Sequence, residues 1–324
     1  MASAWLLGEP GNANVKEMET PLMPHTRVYW LHALSPTQVG TGRGVGYIDR
    51  PVQRDKVTNW PMIPGSVFKG AWAETFGASQ ENRLSNPELG LAFGRAFDEG
   101  QNNSRAGALI STDARLVCLP IRSFQGTFAW CSSALALRML RRDLELTGMG
   151  QTTPPSDLGS PADGRIYLTD ATVLKEGNQV FLEDLDFIAE SNAAATSWAE
   201  QIAGWVFPGD ANAAWRTEFQ RRFAVLPDTA FDFLTETGTE LTARVRINDD
   251  TKTMATGQLW SEESLPAETI MAGLVSCDRV FTPNAKGTDE KKLFNKFATK
   301  ELLLQIGGKA TVGRGRVRCV FTTL

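Results

Sequence analysis

The sequence is short of the groups on which many hydrolases and metal proteins depend. It has two histidines, His25 and His32, close together near the N-terminus, so no histidine acid–base pair can be drawn from distant segments, which removes a class of nuclease mechanisms. Four cysteines, Cys118, Cys131, Cys277 and Cys319, stand singly. With no CxxC pair and no histidine cluster beside them there is no zinc motif, and buried reduced thiols are expected. No apolar run reaches the roughly 18 residues of a membrane span, and Trp5-Leu6-Leu7 lacks the length and basic flank of a signal peptide. The expectation is a cytoplasmic protein with no membrane partner. The familiar nucleotide loops are missing too. Neither glycine-rich stretch satisfies GxGxxG, since the third glycine position falls on residues such as Val45, Asp49 or Arg318, and neither contains GxxxxGK followed by Ser or Thr.

What is present is ordinary globular material: 324 residues, 42% hydrophobic and 22% charged, enough to bury a large core. The formal net charge of −4 argues mildly against a polyanionic partner, but its distribution matters more. The last 20 residues, QIGGKATVGRGRVRCVFTTL, carry Lys309, Arg314, Arg316 and Arg318 and no acid. Other basic groups are Arg138, Arg141 and Arg142; Arg216, Arg221 and Arg222; and Arg244 with Arg246. An acidic protein can therefore own a basic face.

Residues 1–26 show no sustained periodicity and read as a loosely ordered extension, with one folded domain spanning 27–324 from an apolar strand at Val28 to Leu34. In PGSVFKGAWAETFG, Ser66 is placed to cap a helix whose Val67, Gly70, Ala71 and Phe76 face a core. ALISTDARLVCLPI alternates as a strand, and SSALALRMLRRDLEL has the helical period with Leu135, Met139 and Leu140 inside. Residues 148–164 are polar and rich in Gly and Pro, a long mobile loop. A helix is predicted over Ala193 to Val206, and ELTARVRIND with TKTMATGQLWSEE forms a β-hairpin turning at Asp249-Asp250. TIMAGLVSCDRVF reads as a strand, DEKKLFNKFATKELLLQI as a helix and RVRCVFTTL as a closing strand. The order suits an α+β fold with a ferredoxin-like core of the kind RNA-recognition modules use, carrying inserted helices.

Glycine recurs at every second position from Gly40 to Gly46, and again through Gly307, Gly308, Gly313 and Gly315. Such spacing clears side chains away so that another backbone, or a phosphate, approaches the N–H groups closely. Arg43 in the first loop, and Lys309, Arg314 and Arg316 in the second, have the chemistry to grip phosphate oxygens. Either loop alone reads as a tight turn with solvated arginines; their recurrence favours an RNA backbone cradle that includes Gly40, Gly42 and Gly44.

GTGRGVGYIDRPVQRD, the WPMIPGSVFKGAW run, PIRSFQGTFAWCSS, RRDLELTG, ELTARVRIN, GQLWSEE and QIGGKATVGRGRV together resemble the RAMP superfamily of CRISPR proteins, in particular the backbone subunit of type III-B effectors. The likeness runs from about Val28 to Phe321. It implies a filament of copies stacked along a CRISPR RNA, beside other Cmr-type effector subunits, holding the guide for pairing with a target RNA. It also implies a β-hairpin thumb, matched here by Arg244 to Glu263, that wedges between duplex segments. The residue matching the family's catalytic aspartate is Asp49, which implies one metal-dependent cut of the target per subunit and 2′,3′-cyclic phosphate ends.

RNA carries its own nucleophile, the 2′-OH, so a protein need only orient it, assist proton transfer and neutralise charge. Asp49 could hold Mg²⁺ or another divalent cation through water, or accept the 2′-OH proton. Without the resemblance, Asp49 would read as an ion-pair partner of Arg50 or Arg54. Glu262 and Glu263, just past the hairpin, are a second acidic candidate for the catalytic site, though glutamates at a strand end are usually just solvated. Gln38 lies where some relatives carry histidine and cannot shuttle a proton; His32 reads as packed. Arg54, Ser66, Lys69, Arg122 and Arg244 are further candidates for RNA contact. Of Trp60, Phe124, Trp130 and Trp260, only Trp260 near the thumb is assigned to base stacking, and Met254 is a candidate wedge. Three rivals remain: an inactive scaffold, a stand-alone enzyme processing precursor CRISPR RNA, and a phosphate-binding metabolic enzyme with a small-ligand pocket.

Overall fold

A computed structural model describes residues 25–42, 44, 48–95, 104–147, 154–247, 254–277, 280, 290–298 and 301–322, with backbone alone at 246–247 and 254–258. Most of the predicted extension, Arg43, the start of the polar 148–164 loop and the Asp249-Asp250 turn lie outside the described residues.

The chain opens with β1 (Thr26–Ala33) and passes the first glycine loop to β2 (Met62–Ile63) and three helices, α1 (Gly65–Thr75), α2 (Gln80–Ser85) and α3 (Pro87–Phe93). β3 (Leu109–Ser111), β4 (Ala114–Arg122) and β5 (Phe128–Ser133) lead into α4 (Ala134–Leu146). β6 (Arg165–Leu168), β7 (Gln179–Leu182) and β8 (Leu185–Ser191) precede α5 (Ala193–Val206), α6 (Ala213–Arg222), β9 (Phe223–Leu226) and α7 (Asp228–Thr237). The hairpin β10 (Glu240–Ile247) and β11 (Met254–Ser264) follows, then β12 (Ile270–Cys277), α8 (Glu290–Phe297), β13 (Leu302–Gln305) and β14 (Arg316–Phe321).

One mixed sheet runs β13-β14-β1-β12-β4-β5-β9-β6-β8-β7, and β10-β11 pair apart from it. The expected α+β class holds. β1 lies antiparallel between β12 and β14, and because alternate residues of a strand face opposite ways, its side chains feed two cores. Tyr29 and Leu31 pack with Phe68, Trp72, Phe93 and Phe297 on one face. Val28 and Trp30 pack with Leu137, Leu140, Trp198 and Phe219 on the other. A sheet covered on both faces explains why almost the whole strand is apolar. At its far end the sheet curls: Ser123 bridges Leu182, and Glu183 N–H donates to Arg122 O at 3.0 Å, so β7 returns to the end of β4 and its edge is covered.

Several local expectations are corrected. α1 starts after Pro64 with no side-chain cap and Ser66 is an exposed residue inside the helix; of the predicted core face Ala71 is buried, Val67 and Phe76 pack partly buried against the core, and Gly70 lies outside, with Gly65, Phe68, Trp72 and Ala73 completing the buried face. Leu135 on α4 is 39% exposed, the inner positions being Ala136, Leu137, Leu140 and Leu144. The run predicted as one helix from Asp289 through Ile306 breaks after α8, and Leu302–Gln305 pairs with β14 as a strand. α5 spans the predicted residues and is capped by the Asn192 side chain, which accepts from Ala195 N–H at 3.0 Å. The four cysteines are free and buried, and burial pushes the thiols of Cys118, Cys131 and Cys319 up. Among the described residues no helix is long and apolar enough to cross a membrane.

Candidate functional site

Three segments converge at the base of the β10–β11 hairpin: the loop after β1, the start and end of the hairpin, and the glycine loop before β14. Thr37 and Leu265 exchange backbone bonds at 2.9 and 2.8 Å. Arg50 N–H donates to Ser261 O at 3.1 Å and Glu263 N–H to Arg50 O at 3.0 Å, so the backbone around Arg50 runs parallel to β11 as an added strand. Gln38, largely buried, donates its side-chain amide to Arg50 O at 3.0 Å. It therefore pins this strand in place.

The second glycine loop packs directly on the first. Gly315 N–H donates to Pro36 O at 2.9 Å, and Gly307, at φ +77°, lies so near Gln38 that a Cβ would sit 2.0 Å from the Gln38 carbonyl oxygen. Close approach of backbone to backbone is thus the role of Gly307, and of Gly315 against Ile306. Gly42, Gly308 and Gly313 face open space instead, and Gly40 and Gly44 lie against the Ile48–Pro51 backbone.

Asp49 is exposed on the added strand. Its Oδ2 accepts from Ser261 N–H at 2.7 Å and from Ser261 Oγ at 3.0 Å, while Asp49 N–H donates to Ser261 Oγ at 3.0 Å. These bonds, led by the Ser261 backbone N–H, hold its carboxyl below the ordinary value, and the Arg50 charge adds to them. The simple ion pair weighed for Asp49 does not form among the described residues. Arg54 turns to Glu263 at 2.6 Å, and Arg50 stacks over Trp260 at 5.3 Å and faces Glu262 at 3.5 Å.

Glu262 and Glu263 are each 1% exposed, which corrects the picture of solvated or substrate-facing acids. Glu262 takes Lys309 and the Trp260 indole N–H on Oε1, with Arg244 Nε 3.4 Å from Oε2. Burial pushes its carboxyl up, but the Lys309 and Trp260 hydrogen bonds and the Lys309 and Arg244 charges outweigh it, and the pKa is lowered. Glu263 accepts from Arg54, from Thr239 Oγ1 at 2.9 Å and from Val52 N–H at 2.9 Å. Both are anchors. Glu262 is set against Arg50, Arg244 and Lys309, and of these three Arg50 is the charge that acts on Asp49. Lys309 adopts φ +70° to join this cluster, a left-handed geometry uncommon outside glycine.

Other candidates divide into committed and available groups. Arg54 also donates to Asn59 O, Arg314 to Ser264 Oγ at 2.9 Å, and Lys69 to Leu109 O at 2.6 Å. Burial lowers the Lys69 pKa, and all three hold the fold together. Arg122 and Arg316 are exposed, with no side-chain partner among the described residues. Ser66, Lys69 and Arg122 lie on α1 and at the end of β4, outside this cluster of contacts. Met254 is on β11, its side chain outside the description. Trp60 and Trp130 are core residues, whereas Phe124, which received no role from the sequence, is 73% exposed. Sequence reasoning also missed Ser261, a strand serine with no local signature, and treated Arg50 only as an alternative partner for Asp49.

Among the described residues no three or more His, Cys, Asp or Glu side chains form a metal-binding group. Asp49 offers a single exposed carboxylate at Ser261, which suits a hydrated ion and not a protein cage. A small apolar pocket of about 40 Å³, lined by Val28, Trp60, Met139, Leu140, Arg115 and Asp143 among others, includes no residue of either glycine loop.

A RAMP superfamily model matches residues 30–318. The chain belongs to the RAMP superfamily. Within the superfamily it is 31% identical over 297 residues to the CRISPR system Cmr endoribonuclease Cmr4 of Pyrococcus furiosus, covering 89% of this chain and 92% of that one. A shorter likeness, 31% over 93 residues, joins it to the Cms endoribonuclease Csm3 of Mycobacterium tuberculosis, covering 26% of this chain and 39% of that one. Among solved structures, oligomeric Cmr4 from Pyrococcus furiosus superposes with a TM-score of 0.67 at 23% identity, covering 93% and 98% of the two chains. A chain of the type III-B Cmr-beta complex bound to cognate target RNA does so with a TM-score of 0.67 at 21% identity and the same coverage. The large mixed sheet is therefore a RAMP fold.

Proposed function

We propose that this chain is the RNA-cleaving backbone subunit of a type III-B CRISPR effector. Copies stack along a CRISPR RNA in the cytoplasm, with other Cmr-type subunits, and each cuts the paired target RNA once. Support comes from the near full-length likeness to a Cmr4 endoribonuclease. The observation that carries the reading is the presentation of Asp49: an exposed carboxylate held by Ser261 at the thumb base, with the Arg50 charge next to it in the chain.

Arg50, next to Asp49 in the chain, supplies positive charge for the phosphates and for a developing phosphorane. Trp260, already stacked by Arg50, offers a face to an unstacked base. Because Ser261 lowers its pKa, Asp49 is a carboxylate at neutral pH and a weak base. Of the two roles open to it, holding a hydrated divalent cation is favoured over taking the 2′-OH proton. Such an ion, when bound, supplies charge neutralisation at the scissile phosphate. The adjacent 2′-oxygen gives its proton to water and attacks the phosphorus, the P–O2′ bond forms as the P–O5′ bond breaks, and the products are a 2′,3′-cyclic phosphate and a 5′-hydroxyl end.

The test is cleavage of a labelled complementary RNA by the guide-loaded complex with Mg²⁺, comparing native protein with Asp49→Ala. Regularly spaced cuts that vanish while RNA binding persists are expected. Equal cutting by both proteins would refute the assignment.

A further inference from the structure

We infer that Ser261 is the positioning residue for the proposed cleavage, tying Asp49 to the thumb hairpin so that acid and β11 move as one body. The inference rests on the reading of Asp49 above. Three contacts carry it. Ser261 N–H and Oγ both engage Asp49 Oδ2, at 2.7 and 3.0 Å, and the same Oγ accepts from Asp49 N–H at 3.0 Å. The hydroxyl therefore closes a ring between the acid's side chain and its own backbone. One residue further on, Arg50 is bonded on both sides to β11, through Ser261 O and Glu263 N–H.

On its N-terminal side Asp49 follows a segment with glycine at 40, 42, 44 and 46, where Gly42 takes φ +77° with nothing within 4 Å of its Cβ position. A chain this permissive cannot hold a carboxylate in one orientation by itself. The serine does so from the neighbouring strand. It also selects which oxygen is used: Oδ2 is occupied, and Oδ1 has no partner among the described residues. A ligand reaching Asp49 meets one preset oxygen, at a fixed place relative to the hairpin. Any displacement of the hairpin by an incoming duplex carries the acid with it.

The experiment uses the assembled, guide-loaded complex with Mg²⁺ and measures target affinity and single-turnover cleavage separately for native, Asp49→Ala, Ser261→Ala and Ser261→Thr proteins. Removing the hydroxyl deletes one charge-assisted bond to the carboxylate and leaves the backbone one, so Ser261→Ala should cut about tenfold more slowly. Its target Kd and the spacing of cuts should not change. Threonine restores a hydroxyl on a residue that strands accept, and should recover most of the rate. If Asp49→Ala abolishes cutting but Ser261→Ala cuts at the native rate, the positioning role is wrong and the function stands. Equal loss of affinity and rate in Ser261→Ala, not rescued by threonine, would reduce Ser261 to a structural residue. Native cutting by Asp49→Ala would remove the functional reading and this inference together.

Discussion

Gly307 and Gln38, far apart in sequence, are in backbone contact: the position of a Cβ on Gly307 lies 2.0 Å from the Gln38 carbonyl oxygen. Gln38 in turn holds Arg50, the neighbour of Asp49, through its side-chain amide. The C-terminal glycine loop is thus part of the scaffold for the acid, whatever else it contacts.

Gly307→Ala should be strongly destabilising, by about 2 kcal/mol or more, since it combines a clash with backbone and a left-handed φ. Gly308→Ala meets nothing within 4 Å and should fall within about 0.5 kcal/mol of native. Urea denaturation of the two variants makes the comparison, and equal effects would mean that the loops separate freely.

Glu262→Gln removes a buried charge that balances Lys309, Arg244 and Arg50. Those partners are partly exposed, so a loss of about 1–3 kcal/mol at neutral pH is expected, less than for a sealed pair. The folded-state pKa lies below the ordinary 4.5, so the stabilisation is present above pH 4.5 and is lost as pH falls through the folded value. Native and Glu262→Gln stability curves should converge in acid. A gap that stays constant down to low pH would deny the charge a part in it.

Much of this was legible in the sequence where one periodicity dominated. α5 and the alternating arms of the β10–β11 hairpin fall where the pattern puts them. Apolar runs without such a contrast misled: LFNKFATKELLLQI fits a helix throughout, yet the Leu-rich end is the edge strand β13, because short leucine runs look alike in both settings. Leu135 was assigned to the core because an amphipathic pattern fixes a face only to within a residue or so. Glu262 and Glu263 are catalytic candidates in the sequence, with solvated glutamates as the alternative; neither reading anticipates their burial, because burial of an acid depends on cations from remote segments, here Lys309 and Arg54. Ser261 had no signal at all; its role exists only once β11 and the first glycine loop are side by side.

Exposed and committed arginines should separate in a salt titration. Arg316→Ala and Arg122→Ala remove side chains without partners among the described residues, so if each meets a phosphate, RNA affinity falls and the slope of log K against log salt shrinks by about 1. Arg54→Ala breaks bonds to Glu263 and Asn59 and should lower thermal stability while leaving the slope unchanged. The reverse pattern would place the RNA path over Arg54.

Removing divalent cations tests how Asp49 works. A single exposed carboxylate, with one oxygen given to Ser261, has too few ligands to strip an ion of its water. EDTA should therefore stop cutting quickly while target binding survives, because the arginines and Lys309 do not need the metal. Mg²⁺ should restore activity to native protein and not to Asp49→Asn. Exchange-inert hexaamminecobalt(III), which contacts ligands only through its ammine shell, separates two mechanisms. Partial rescue fits an ion held through water, with its charge as the active ingredient. No rescue by cobalt alongside full rescue by Mg²⁺ requires direct coordination, with any further ligand coming from groups other than Glu262 and Glu263, which are occupied. Full cutting in EDTA would leave Asp49 acting without any metal, as an acceptor of the 2′-OH proton, despite a pKa that makes it a poor one.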